Sequence, residues 1–164
     1  MYFRGDKSGG VRLSKLDPFI KQLLLSLPEE AGNTGSEAAQ DRILPHPGKD
    51  VGDDFMDLWR EEIQPELLHI FQSSVETVRG DLQQLDEGTK NTVKIPGDHK
   101  DAWLNALNQA RLCIAANEEF NEGDMADMMN PRIDNERDLA LFKVHFFGLL
   151  QELLLREGQE DGSK

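Results

Sequence analysis

From Pro65 onward, Leu67, Leu68, Phe71, Val75, Val78, Leu82 and Leu85 recur at helical spacing and fall within about 100° of arc over roughly five turns. A strip this long and narrow exists only on an α-helix, and other elements must cover it. The chain is thereby held to a helical assembly with an internal seam. A second strip near the end, with Phe142, Phe146, Phe147, Leu149, Leu150, Leu153 and Leu154, spans roughly 160° of arc, wider than a surface helix needs. Val144 and Leu155 fall on its opposite side. This breadth predicts that the last helix is the central one of the bundle, the other cause being a dimer contact.

The remaining elements follow from their punctuation. Asp17-Pro18 starts a helix, since Asp accepts from orphan backbone N–H groups and Pro at the first helical position gives up no needed donor. That helix is expected to face Phe19, Ile20, Leu23, Leu24 and Leu27 to the core and to stop before Pro28. Residues 29–50 carry Gly, Asn, Thr, Ser and two prolines around His46 without a sustained period, so a long, mobile loop is expected. A helix from near Asp53 carries Phe55, Leu58 and Trp59 and is expected to break at Pro65. Pro96-Gly97-Asp98 opens another, with Asp98 as its cap, Asp101 in its first turn, and Trp103, Leu107, Ala110 and Ile114 as its stripe. Residues 116–138 are acidic and predict a short helix and an acidic loop. The last helix is read from near Asp134 to about Glu157, followed by a disordered tail over 158–164.

Three short apolar runs read as strands. Tyr2-Phe3 and Val11-Arg12-Leu13 flank a glycine-rich turn, which predicts a hairpin. After turn-like residues from Asp86 to Asn91, residues 92–95 supply a third strand. The hairpin carries Arg4, Lys7, Arg12 and Lys15 against Asp6, a basic corner expected to pair with the acidic body. The expected fold is mainly α, a single domain over residues 1–157 with five or six helices and a small antiparallel sheet.

The 164 residues suffice for one core. Thirty-one Asp and Glu against 18 Lys and Arg leave a formal charge of −13, which argues against nucleic acid and anionic membrane as partners, since both require clustered cations. One cysteine forms no internal disulfide, and no leader or span of about 18 apolar residues is seen. A soluble, cytoplasmic protein is expected.

Motifs for chemistry fail when tested. Aligning Gly123 with the glycine of an EF-hand loop puts Phe120 and Met129 where oxygen ligands belong. His46, His69, His99 and His145 show no HExxH or zinc spacing. Cys113 has Ala106, Ala110 and Ala116 as helical neighbours, the setting of a small residue packed between helices rather than a nucleophile. Gly5-Asp6-Lys7-Ser8-Gly9 lacks the phosphate-loop spacing, Arg4-Gly5-Asp6 is too short to carry meaning, and no GxSxG elbow occurs. No catalytic residue, metal ligand or cofactor is assigned.

Arg111 is the informative residue. It projects between Leu104 and Leu107, at the margin of the apolar face, where a charge needs a partner. That partner is expected to be a carboxylate such as Glu152 or an acid of the helix after Asp53; otherwise Arg111 is an anchor for an anion or a protein. Asn108 lies one position around and can share either role.

The run Trp103-Leu104-Asn105-Ala106-Leu107-Asn108-Gln109-Ala110-Arg111-Leu112 resembles the W-L-x-A-L-N-D-x-R-L signature of an uncharacterised bacterial domain-of-unknown-function family of actinobacterial type. Val11-Arg12-Leu13, Arg42-Ile43-Leu44-Pro45 and Leu149-Leu150-Gln151-Glu152-Leu153-Leu154 look like further blocks of that family, in its order. This chain departs from the family after Leu112, where Cys113-Ile114-Ala115-Ala116-Asn117 replaces a run that holds a second arginine. The family's genes often lie near those of a Clp protease adaptor and an MPN-type metalloprotease, so the resemblance implies a link to regulated proteolysis.

The expected function is a non-enzymatic protein-interaction or regulatory module, with Trp103, Asn108 and Arg111 as partner-binding residues and a protein partner or homodimer as its target. The alternative is a metal-binding protein or metal-assisted hydrolase that gathers helix carboxylates, although its ExxH pattern is not seen.

Overall fold

The computed structural model describes residues 1–44, 46–48, 50–86, 90–126 and 132–160. The expected turn at 87–89, the acidic loop at 127–131, Met129 of the calcium test and the tail beyond residue 160 lie outside these residues.

Strands β1 (Tyr2–Gly5), β2 (Val11–Ser14) and β3 (Val93–Ile95) form an antiparallel sheet in that order, with Phe3 opposite Leu13 and Val11 opposite Ile95. Asp6 closes the hairpin. Its carboxylate accepts from the Ser8 hydroxyl at 2.6 Å and from the amides of Gly10 at 2.8 Å and Ser8 at 2.9 Å. These bonds, the hydroxyl first, hold its pKa below the ordinary value. Gly9 supplies the positive φ, 74°, that the turn needs. The alternation of β2 and β3 puts Val11, Leu13, Val93 and Ile95 into the core. Among the described residues the expected pairing of the basic hairpin with the body is not seen: Lys15 lies over the Tyr2 ring. Among the described residues Arg4, Lys7 and Arg12 have no ion pair.

The helices are α1 (Pro18–Gly32), α2 (Glu37–Ile43), α3 (Asp53–Leu58), α4 (Gln64–Asp86), α5 (Lys100–Asn117), α6 (Glu122–Ala126) and α7 (Glu136–Glu160). Asp17 caps α1 by accepting from the Ile20 amide at 2.9 Å. The helix does not stop at Pro28; it runs to Gly32 with Leu27, Pro28 and Ala31 buried. Their packing outweighs the missing hydrogen bond to the Leu24 carbonyl, a cost of about 3 kcal/mol. The expected loop over residues 29–50 is likewise corrected, since it contains the end of α1 and all of α2. Ser36 caps α2, accepting from the Ala39 amide at 3.0 Å, and its hydroxyl meets Asn117 of α5.

Pro65 does not break the next helix either. Trp59–Ile63 forms a π turn in which the Gln64 amide reaches the Trp59 carbonyl, joining α3 to α4 without interruption. The missing donor of Pro65 falls where the ladder has already widened. The combined helix is about 50 Å long at 1.5 Å per residue.

At the centre sits α5, packed on α1, α2, α4 and α7. This corrects the expectation for the last helix. Ala106, Ala110, Ala115, Ala116 and Cys113 are buried around α5, and such small side chains let neighbours approach from several sides. The broad face of α7 instead divides. Phe146, Phe147, Leu150 and Leu154 are buried with Val144, while Leu149 and Leu155 are exposed. Phe19 of α1, then Phe142, Phe146 and Phe147 of α7, form a chain of rings 5.5–6.5 Å apart. Asp98 caps nothing with its side chain; it lies in a 3-10 turn, Gly97–His99, ahead of α5. The reading of residues 158–160 as tail is also corrected, because α7 continues to Glu160. No helix among the described residues is long and apolar enough to cross a membrane.

Candidate functional site

The three residues assigned to partner binding separate in space. Trp103 is 0% exposed and belongs to the core. Its indole Nε1 donates to the Asp81 carboxylate of α4 at 2.9 Å, and that carboxylate also meets His99 Nδ1 at 3.0 Å. A bulky ring at the start of α5 thus serves packing, and the assignment of Trp103 to a surface is corrected. The Asp81–His99 pair orients an imidazole, but among the described residues no nucleophile is bonded to it. Ser8, the hydroxyl of the adjoining pocket, donates to Asp6 instead.

Asn108 and Arg111 do come together. Both line a cavity of about 890 Å³ walled by Leu112, Ala115, Phe120, Met125 and Val144, with Arg42 of α2 on the same cavity. The guanidinium of Arg111 is held in place from α7. Its Nη1 donates to Gln151 Oε1 at 2.7 Å, and Gln151 Nε2 donates in turn to the Leu104 carbonyl at 3.3 Å. The plane of the group rests on Gly148, where a Cβ would come within 3.3 Å of Cζ and Nε. A mid-helix glycine costs about 0.5–1 kcal/mol relative to alanine; here it makes room for the arginine.

The expected carboxylate partner is not there. Glu152 pairs with Arg156, and Lys143 with Glu30, so among the described residues Arg111 has no ion pair and its buried Nε has no acceptor. Arg42, exposed, has none either. A half-buried guanidinium without a carboxylate is an unusual expense of desolvation, worth on the order of 1–3 kcal/mol for an unmade charged hydrogen bond.

His145 on α7 feels the same charge. Burial first, then Arg111, lowers its pKa below 6.5, and its Nε2 is buried without a partner. The folded state therefore binds this proton less readily than the unfolded chain, so the unfolded state gains stability by protonation as pH falls through 6.5. Urea midpoints are expected to drop as pH falls through 6.5, with no further contribution from this group once pH passes below its folded pKa. His145→Gln should flatten that part of the slope; an unchanged slope would assign the titration elsewhere.

Cys113 is buried, its thiol pushed up to about 11 by desolvation and then by Glu30, which leaves it protonated and inert. Among the described residues no three His, Cys, Asp or Glu side chains gather as metal ligands.

A second surface escaped the sequence reading. Neither α3 nor the π turn buries a residue, and both pack substantially only on the helix they continue into. Phe55 is 41%, Leu58 50% and Ile70 47% exposed. Phe55, Trp59, Ile63, Leu67 and Phe71 recur every four residues, a spacing that drifts about 40° per step on an ideal α-helix. The wider π turn offsets part of that drift, and the row runs from exposed Phe55 through the partly buried Trp59, Ile63 and Leu67 to Phe71, which packs against Ala39, Ile43, Cys113 and Ala116. Asp53, Asp54, Asp57, Glu61, Glu62 and Glu66 flank it against Arg60 alone. The signal was present as an apolar period on both sides of Pro65, hidden by the assumption that the proline divides it.

Residues 8–157 match the family model described as Domain of unknown function (DUF2017). No curated protein and no solved structure matches the chain.

Proposed function

Because the chain belongs to this family of unknown function, its role must be read from its own surfaces, and we propose that it is a non-enzymatic protein-interaction module. One observation carries the reading: the projecting half of the long helix leaves Phe55, Leu58, Leu68 and Ile70 exposed around a partly buried row of Trp59, Ile63 and Leu67. Leaving three or more such groups in water forgoes roughly 1.5–3 kcal/mol for each that could be buried, and contiguous exposed apolar rows of this kind mark interaction sites. The acids beside the row define the partner. It presents apolar side chains bracketed by lysine or arginine, and long-range attraction speeds its association at low salt. A component of the proteolytic machinery, which the family resemblance implies, would be recognised through such a surface.

The test is affinity capture from native lysate with mass spectrometry, comparing the full chain with the double variant Leu58→Ser, Ile70→Ser. Both positions are exposed, so the urea midpoint should correspond to a stability within about 0.5 kcal/mol of the parent. The expected result is a partner captured by the parent, released by raised salt and lost from the double variant. Capture that ignores the double variant, or light scattering that shows a second copy of this chain on the row, overturns the reading.

A further inference from the structure

The cavity over Arg111 is a different matter from the apolar row. It pairs a positive floor with apolar walls in a protein whose formal charge is −13. Two guanidinium groups, Arg111 and Arg42, line it, and neither has an ion pair among the described residues. Glu122 is the one carboxylate among its described lining residues. The arginine at its floor is oriented with some care: Gln151 holds Nη1, the Leu104 carbonyl holds Gln151, and bare Gly148 lets the plane lie flat. Nε is buried without an acceptor, and Nη2 makes no hydrogen bond within the described chain. A fixed cation with open donors, adjoining a space large enough for a small organic molecule, is matched by an anion.

We propose that this cavity binds a monocarboxylate that carries an apolar body. A carboxylate on Nη2 lies beside Nε of the same delocalised group and neutralises it, in the planar geometry that arginine offers to carboxylates. Asn108 and Asn121 add amide donors around it, and Arg42 closes the approach from α2. A lining with two guanidiniums and one carboxylate, Glu122, suits a single negative charge better than the two of a phosphate. Leu112, Phe120, Met125 and Val144 receive the apolar part, which a bare inorganic anion lacks. The carboxylate can come from a free small acid or from the C-terminus of a peptide that ends in an apolar residue.

The test is NMR of the full chain labelled with 15N, following the Arg111 side-chain Nε–H signal. The probes are octanoate, a tripeptide Ala-Ala-Leu with a free C-terminus, the same tripeptide as its C-terminal amide, and inorganic phosphate. A saturable shift with octanoate alone identifies a small acid as the source. A shift with the free tripeptide that the amide does not give identifies a peptide C-terminus. Either result supports the site. Arg111→Gln should weaken the responding probe by about ten-fold or more, followed through the backbone amides of Leu112 and Val144. Arg42→Gln, at an exposed position whose loss leaves the fold intact, should weaken it by about two- to five-fold. No saturable shift with either carboxylate, equal binding of the amide or of phosphate, or affinity indifferent to Arg42→Gln overturns the proposal. Leu58→Ser with Ile70→Ser should leave this binding unchanged, so the site and the interaction row fail or stand separately.

Discussion

Trp103→Ala is expected to lower the free energy of unfolding by about 3–5 kcal/mol, the range for emptying a buried Trp or Phe site. The indole is 0% exposed and its N–H has its acceptor in Asp81, so both volume and a charge-assisted hydrogen bond disappear together. A domain of this size has a total stability on the order of 5–15 kcal/mol, and the variant should therefore be partly unfolded at modest urea. Trp103→Phe separates the two contributions. It keeps most of the apolar bulk while removing the donor, and is expected to cost about 1–3 kcal/mol, since the Asp81 carboxylate keeps His99 as a partner. Urea unfolding followed by circular dichroism reads both values, with Trp59 as a separate fluorescent reporter on the projecting helix. A Trp103→Ala protein of parental stability that had lost only a binding partner would restore Trp103 to a surface role and contradict the packing described above.

Asp81→Ala is the companion experiment and is expected to cost about 2–4 kcal/mol. This carboxylate is itself buried and joins three elements: it comes from α4, accepts from Trp103 in the first turn of α5, and faces His99 in the turn before it. Its removal leaves an indole N–H buried without an acceptor, the costly half of a broken hydrogen bond. Asp81→Asn keeps an acceptor for the indole but loses the negative charge beside the start of α5, where the helix dipole favours one. About half the loss is expected there. A double-mutant cycle with Trp103→Phe should show a coupling of about 1–2 kcal/mol, because the two side chains share one bond. Additive losses would mean that Asp81 acts on the helix end alone.

These experiments probe a connection that sequence reasoning had no means of seeing. Trp103, His99 and Asp81 carry no local signature as a group. Asp81 is 22 residues from Trp103, and only the packing of α4 on α5 brings them together. The same holds for Arg111, whose position at the edge of an apolar face was legible while its neighbours were not. Glu152, the expected partner, lies four residues before Arg156 on the same helix and pairs with it. Gln151 takes the place next to Arg111 instead. One residue along a helix turns a side chain by about 100°, so a fair guess of helix and region still misses the contact. Arg42 was quoted only as part of a block; its arrival at the cavity depends on α2, a helix that the loop assignment had erased. Its signals were nonetheless local: Ser36 as cap, Glu37 in the first turn and Arg42 in the last.

The two helix ends assigned to prolines fail for the same reason. Local chemistry prices a proline inside a helix at about 3 kcal/mol, and at Pro28 burial against the core exceeds that price. At Pro65 a π turn absorbs it. By contrast, the Asp17-Pro18 start, the hairpin across Asp6, the third strand, and the stripe from Val75 to Leu85 rest on short-range rules and came through intact.

The sequence alone determined the start of α1, the three strands and the buried stripes of α4 and α5, because caps, turns and hydrophobic periods act over a few residues and are written in the order of the chain. It also determined the acidic character and the membership of Arg111 in a margin between core and water. Tertiary structure decided which helix lies at the centre, which half of the long helix stays uncovered, and which cations face a shared cavity. Those outcomes depend on how small side chains let helices approach and on contacts between residues far apart in the chain, where no local period carries information.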